Sequence, residues 1–566
     1  MTTLSFSNYF KNQKITLKRL LNEPLQLILV LSIIFCLGLF VLYPLYSTIK
    51  VSLMPNGHFD LIVYKTILNQ QRFKIAISNS ILLGIVVATL GTIIAFLFAY
   101  TLTRIQFPGK HFFKGMVILP IISPPFIFAL SAVLLLGRNG LLTQQLLGIE
   151  NFNIYGFKGL VIVQTLSMFP IGFLILSGIL QAIDPDLETC AMNLGAKRWK
   201  TFTTVTFPLA LPGLWASWLL IFVQSLTDFG NPLILGGDFP VLSVQTYLEF
   251  VGMGNLPRGA GLAVLLLVPT VSLFILQRYI LRKKSFITVT GKSTRRSIVS
   301  VSQLIHVLLI FFSILISAII SIFYISIFAG SFIKLWGINW TLTFSHYIYA
   351  FDVGLQTIKD TVLLATIATP ITVIFGMVIA FLVVRKSFPG KNLMAIAAVL
   401  MFSIPGTAVG FGYMISFNQE PLLLTGTMYI LLACYVFRYV PIGIESGMAA
   451  LSQVSKDIGE SSTNLGASSA ITFRSITLPL ITPSFISAAT FTFVKCMTGL
   501  SAVIFLVSAS WKHMTTLILA QTENMLLGQA YAMSVVLTLI ILISFAVFKN
   551  FMTLGQTSVF GGISHD

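Results

Sequence analysis

The stretch at 186–212, DLETCAMNLGAKRWKTFTTVTFPLALP, returns at 457–483 as DIGESSTNLGASSAITFRSITLPLITP. The offset is 271 residues, and it pairs Asp186 with Asp457, Asn193-Leu194-Gly195-Ala196 with Asn464-Leu465-Gly466-Ala467, Phe202 with Phe473, Pro208-Leu209 with Pro479-Leu480, and Pro212 with Pro483. Each copy starts on an acid, runs through a short amphipathic helix to Leu-Gly-Ala, and continues as a second short helix. Pro-Leu then leads into a long apolar run. The glycine permits a positive-φ turn, and the proline suits the first turn of the helix that follows. Such a polar helical hairpin is a docking surface beneath a bilayer rather than a membrane-inserted element.

Working outward, Phe107-Pro108-Gly109-Lys110 returns as Phe388-Pro389-Gly390-Lys391, now 281 residues apart, and the same offset pairs Arg104 with Arg385, Pro124 with Pro405 and Asn79 with Asp360. The difference between the offsets (281 − 271 = 10) falls in the loop after the third apolar run, where length changes cost little. Chance similarity between apolar segments does not reproduce matched Pro, Gly and polar positions in loops. The chain is a tandem duplication.

Of the 566 residues, 56% are hydrophobic and 9% charged, and the mean hydropathy is +0.93. Soluble domains run near ~45–50% apolar and ~25% charged, so a soluble enzyme, a disordered chain and a disulfide-stapled secreted fold are excluded. A membrane helix needs about 20 apolar residues. Twelve such runs are read, at roughly 25–49, 76–103, 112–136, 157–183, 209–235 and 258–280, then 303–329, 358–384, 392–417, 424–450, 480–508 and 526–549. The fold class is therefore all-α and polytopic, with two tandem six-helix repeats. The first run is too long for a signal peptide, so it is read as a membrane helix. With the N-terminus inside, nearly all of the +18 net charge falls on inner segments, which places both termini in the cytoplasm and makes nucleic acid an unneeded explanation. The expected organisation is a cytoplasmic segment at 1–24, a first repeat at 25–281, a basic linker at 282–302, a second repeat at 303–550 and a cytoplasmic tail at 551–566. Six spans per repeat, an even number, give both repeats the same direction through the bilayer.

The two hairpins resemble the EAA loop of ATP-binding-cassette importer permeases: Glu-Ala-Ala, three residues, Gly, a spacer, then Ile-x-Leu-Pro. Here the pattern reads Glu460-Ser461-Ser462, Gly466 and Ile476-Thr477-Leu478-Pro479, and in the first copy Thr189-Cys190-Ala191, Gly195 and Val205-Thr206-Phe207-Pro208, with Glu188 one position early. The chain looks like the double-length permeases of the ferric-iron type. That resemblance implies a type I permease fold, two ATPase subunits docked under the loops, and an extracytoplasmic substrate-binding protein, all at the bacterial inner membrane. It implies coupling contacts at Glu188, Asn193, Leu194, Gly195 and Ala196, and at Glu460, Asn464, Leu465, Gly466 and Ala467. No cofactor is expected on the chain; ATP and Mg²⁺ belong to the partner. Gly291-Lys292-Ser293-Thr294 does not make a phosphate-binding loop, because Phe286 stands where the motif needs glycine.

Ionisable groups at membrane depth are costly and face a cavity or a partner. Asp228, Arg438, Glu445 and Lys495 qualify, and Gln224 is the repeat partner of Lys495. Arg438 and Glu445, seven apart, share a helix face, either as an ion pair or toward the path. Lys495 either faces the path as an anion-attracting centre, snorkels, or pairs with Asp228. The resemblance puts Gln224, Asp228, Arg438 and Lys495 on the translocation path. Two segments, 225–233 and 493–503, resemble a branch that also imports aminoethylphosphonate and phosphorylated sugars. Because ferric iron prefers hard acidic oxygens and the spans are poor in acids, electrostatics tilts toward an anionic cargo, with ferric iron as the alternative. A twelve-span secondary transporter is the rival of another class. The four cysteines and six histidines show no metal-ligand spacing.

Overall fold

The structure is a computed structural model that describes residues 21–149, 152–283, 303–467 and 469–560. The extreme N-terminal segment, nearly all of the basic linker with its Gly-Lys-Ser-Thr stretch, and the last six residues lie outside the described residues. The principal helices are α1 (Gln26–Leu53), α2 (Gln71–Arg104), α3 (Lys110–Ile122), α4 (Ile127–Leu136), α5 (Phe157–Ala182), α6 (Pro185–Asn193), α7 (Phe207–Thr227) and α8 (Leu256–Lys283). They continue as α9 (Gln303–Phe332), α10 (Leu355–Arg385), α11 (Lys391–Leu400), α12 (Gly406–Ser416), α13 (Met428–Gln453), α14 (Lys456–Asn464), α15 (Leu478–Thr498) and α16 (Leu527–Phe560). A two-stranded antiparallel hairpin, β1 (Ile333–Leu335) and β2 (Asn339–Leu342), follows α9, with Ile333 opposite Leu342.

Among the described residues, eleven helical segments are long and apolar enough to cross a membrane, one fewer than the twelve read from the sequence. The ninth span, expected at 392–417, is two short helices, α11 and α12, separated by Met401–Pro405. The third span is interrupted in the same way between Ile122 and Ile127. The cause is the matched pair Pro124 and Pro405. Proline lacks the N–H that a helix interior needs and pushes the residue before it out of the α region. Ser123, just before Pro124, is extended at φ −84°, ψ 158°.

The duplication is visible in the backbone. Helices α5 and α13, α6 and α14, and α7 and α15 end 271 residues apart, and each repeated hairpin enters its membrane helix through a π-turn, Phe202–Thr206 and Phe473–Thr477. Gly109 and Gly390 cap α3 and α11 at φ +79° and +83°, where a side chain would be strained. On α2, Ser80 Oγ accepts the Leu242 N–H at 2.8 Å; on α10, Thr361 Oγ1 accepts the Met514 N–H at 2.9 Å.

The chain forms two compact units, one made of Met1–Lys50, Leu355–Thr516 and Leu539–Asp566, the other of Val51–Gly354 and Leu517–Thr538. Hence α1 belongs with the helices of the second repeat, and α9 with those of the first. In the unit built on 51–354, Phe98, Phe169, Phe173 and Leu176 of α2 and α5 form a core that Ile316 and Ile320 of α9 join. Ser131 on α4 donates to the Phe323 carbonyl of α9 at 2.6 Å. In the other unit α10 and α13 cross backbone to backbone: a Cβ on Gly376 would stand 2.8 Å from the Gly443 Cα. Close approach through small residues is how helices associate in lipid, where apolar burial alone gives no drive. There α1 is held by the Tyr413 hydroxyl, which donates to the Phe40 carbonyl at 2.7 Å, and by Phe40 stacked on Phe437 at 4.7 Å. Large apolar side chains such as Phe35 on α1 and Phe311 on α9 remain exposed, as lipid-facing residues must.

Candidate functional site

The first hairpin starts at Asp184, whose carboxylate accepts the Asp186 N–H at 3.0 Å and caps α6, with Pro185 in the first turn. Gly195, at φ +87°, ends the helix, and the Ala196 N–H reaches back to the Ala191 carbonyl at 3.0 Å. The second hairpin repeats this: Gly466 is at φ +84°, and Ala467 N–H donates to Ser462 O at 3.1 Å. This turn satisfies the last carbonyls of each helix and throws the residue before the glycine outward. Leu194 is 89% exposed and Leu465 88%. Asn193 and Asn464 beside them are exposed as well. Two leucines so bare, at repeat-related turns, form a matched pair of apolar knobs.

Glu188 does not share that surface. It is buried, 3.3 Å from the Arg104 guanidinium at the end of α2, and it accepts the Thr206 hydroxyl at 2.7 Å. Arg104 also donates to the Ile183 carbonyl at 3.5 Å. One carboxylate thus ties α6 to the end of α2 and to the turn that leads into α7. In the second repeat Arg385 donates to the carbonyls of Leu451 and Val454 at 3.1 and 2.7 Å, and Val454 is the repeat partner of Ile183. Position 459, which matches Glu188, is glycine. Glu460 lies on α14, with its side chain outside the described residues. The two arginines were visible in the sequence as a repeat pair, but their role in holding the hairpins was not, since Arg104 and Glu188 are 84 residues apart (188 − 104).

The four residues expected on the translocation path behave differently. Asp228 closes the end of α7, where its carboxylate accepts from Gln164 at 2.8 Å and Asn231 at 2.9 Å, while Ser243 donates to its carbonyl at 2.6 Å. It is satisfied by amides and makes no ion pair among the described residues. Gln224 sits one turn earlier, half-buried. Arg438 on α13 lies 6.0 Å from the ring of Tyr439, and Lys495 on α15 lies 5.3 Å from the ring of Phe491. Neither cation has a carboxylate within salt-bridge distance among the described residues. Arg438 and Lys495 belong to one unit, Gln224 and Asp228 to the other.

The family described as binding-protein-dependent transport system inner membrane component matches residues 80–286, which include the first hairpin and its clamp. The ferric transport system permease protein FbpB of Actinobacillus pleuropneumoniae is 37% identical over 527 residues, 90% of this chain and 76% of that protein. The chain belongs to this permease family. A second relative, the putative ferric transport system permease protein FbpB 1 of Haemophilus influenzae, is 38% identical over 85% of the chain and 77% of its own length. The molybdenum transport system permease protein ModB of Escherichia coli K12 is 30% identical over 29% of the chain and 73% of its own length. The permease is thus a multi-pass inner-membrane protein with the type I importer fold, a transport subunit of an ABC importer. Membership of a binding-protein-dependent family sets aside transport driven by an ion gradient alone.

Proposed function

We propose that this permease forms the membrane path for ferric iron in an importer driven by a separate ATPase and fed by an extracytoplasmic binding protein. One observation carries the cargo: two ferric transport permeases match nearly the whole chain, whereas the molybdenum permease matches less than a third of it. On this reading both termini and both hairpins face the cytoplasm, and an ATPase subunit grips each of Leu194 and Leu465. Closure of the ATPase dimer on ATP pulls on the hairpins. The Glu188–Arg104 clamp and the Arg385 bonds pass that pull to α2 and α10, so nucleotide biases a two-state gate.

The anionic-cargo reading keeps one observation in its favour, the two cations Arg438 and Lys495, which have no carboxylate partner among the described residues. Purifying the cognate binding protein from cells and identifying its load separates the two, as does radioactive iron uptake into proteoliposomes holding permease, ATPase and binding protein. Iron on the binding protein and ATP-dependent iron uptake are expected. A phosphonate or sugar phosphate on the binding protein, with no iron uptake, would overturn the ferric reading.

A further inference from the structure

The break in the ninth span leaves a helix N-terminus where an unbroken span would have had continuous backbone. Helix α12 is 11 residues long, and its first turn, at Gly406 and Thr407, presents backbone N–H groups with no acceptor inside the helix. That end carries positive potential and is a ready anion site. The Arg438 guanidinium is pressed against it: a Cβ on Gly406 would stand 2.8 Å from Arg438 Nη2 and 1.8 Å from Ser501 Oγ, so only glycine admits this approach.

Two polar atoms of the residues that meet here, Arg438 Nη1 and the Thr407 hydroxyl, are buried without a hydrogen-bond partner among the described residues. Thr407 is 0% exposed. Buried polar groups are ordinarily satisfied, and unsatisfied donors clustered at one place call for an acceptor from outside the chain. Lys495, six residues before Ser501 (501 − 495) and in the same unit, adds a second cationic side chain.

The duplication provides an internal comparison. At the positions matching Thr407, Arg438, Lys495 and Ser501, the other repeat has Phe126, Ser167, Gln224 and Gly230. The same proline break exists there without either cation, and its one hydroxyl, that of Ser167, already donates to the Gln164 carbonyl at 3.1 Å. The set therefore is not needed to build a broken span, and its presence in one repeat points to a ligand.

We propose that the start of α12, with Thr407, Arg438, Ser501 and Lys495, is an oxyanion site. Resting on the ferric reading above, it receives the carboxylate or phosphate oxygens that chelate the iron. Two cations repel a bare trivalent ion and attract an anionic chelate of it. The ion passes as a complex, held by its oxygen ligands rather than by the metal.

The test uses proteoliposomes with the full permease, its ATPase and its binding protein, given radioactive iron as its citrate or phosphate complex, with the oxyanion carrying a second label. The wild type is expected to take up both labels together. Arg438→Ser and Lys495→Gln, which install the residues of the other repeat, are expected to reduce both at least tenfold, while Lys495→Arg retains most uptake. Iron entering without its oxyanion, or R438S and K495Q importing both at the wild-type rate, would overturn the site. Uptake of labelled phosphate or citrate without iron, lost in K495Q, would keep the site with a free oxyanion as its ligand and remove the ferric reading. Should R438S not assemble with the ATPase, thermal protection of the permease in nanodiscs by citrate or phosphate decides. Protection seen in the wild type and lost in K495Q supports the site, and no protection of the wild type overturns it.

Discussion

Glu188 and Arg104 meet with 2% and 5% of their side chains exposed, so each neutralises a charge that water cannot reach. Removing one partner of such a buried pair costs about 3–5 kcal/mol, because the other charge is left uncompensated. Glu188→Ala and Arg104→Ala are each expected to lower the thermal midpoint of the purified permease markedly. The double variant should lose clearly less than the sum, as a double-mutant cycle of unfolding curves will read. His513, in the loop after α15, is a second test at this scale. Its Nε2 donates to the Cys496 carbonyl at 3.1 Å, and its Nδ1 accepts the Thr515 N–H at 3.3 Å. Burial pushes its pKa down to about 4. The unfolded chain, near ~6.5, binds the proton first, so stability is full above that value and falls as pH drops toward 4. About 2 kcal/mol should be lost between pH 7 and pH 5, and His513→Asn should flatten that slope in melts taken across the range.

The repeated hairpins show what an element can do that its residues alone cannot. Leu194 and Leu465 touch little of their own chain, so Leu194→Asp and Leu465→Asp should leave unfolding within about 0.5 kcal/mol of wild type. Burying a leucine against a partner contributes ~1.5–3 kcal/mol, so each change should weaken ATPase binding roughly 10- to 100-fold, as pull-down or interferometry with the ATPase will measure. Most of these hairpins was legible in the sequence, because a positive-φ glycine and an entry proline are local signals; the capping residues Asp184 and Ser455 were not read. The breaks in spans three and nine were half-legible. Pro124 and Pro405 stood out as a repeat pair, yet hydropathy averages over a break of a few residues and reads one long run. The clamp under the first hairpin was not legible, since no local rule brings Arg104 to Glu188.

At the scale of the molecule, the repeats of the sequence and the units of the structure do not coincide. Periodicity and hydropathy report each helix's own character but not which distant helix it packs on, so the assignment of α1 and α9 lay beyond a reading of the chain. A fragment ending before the basic linker would lack α9, whose Ile316 and Ile320 complete the core around Phe98 and Phe173. Such a fragment, expressed alone, is expected to be degraded, and co-expression of 291–566 should restore its level, as immunoblotting of membranes will show. An undiminished, stable fragment would contradict the packing.

The placement of α1 also has a cost in time. It is made well before Phe437 and Tyr413, which hold it and are encoded far downstream. At ~5–20 residues per second, roughly 20 to 80 seconds pass before those partners emerge. During that interval the earliest helix waits in the bilayer with its binding face bare, and an insertase or a membrane protease has its opportunity.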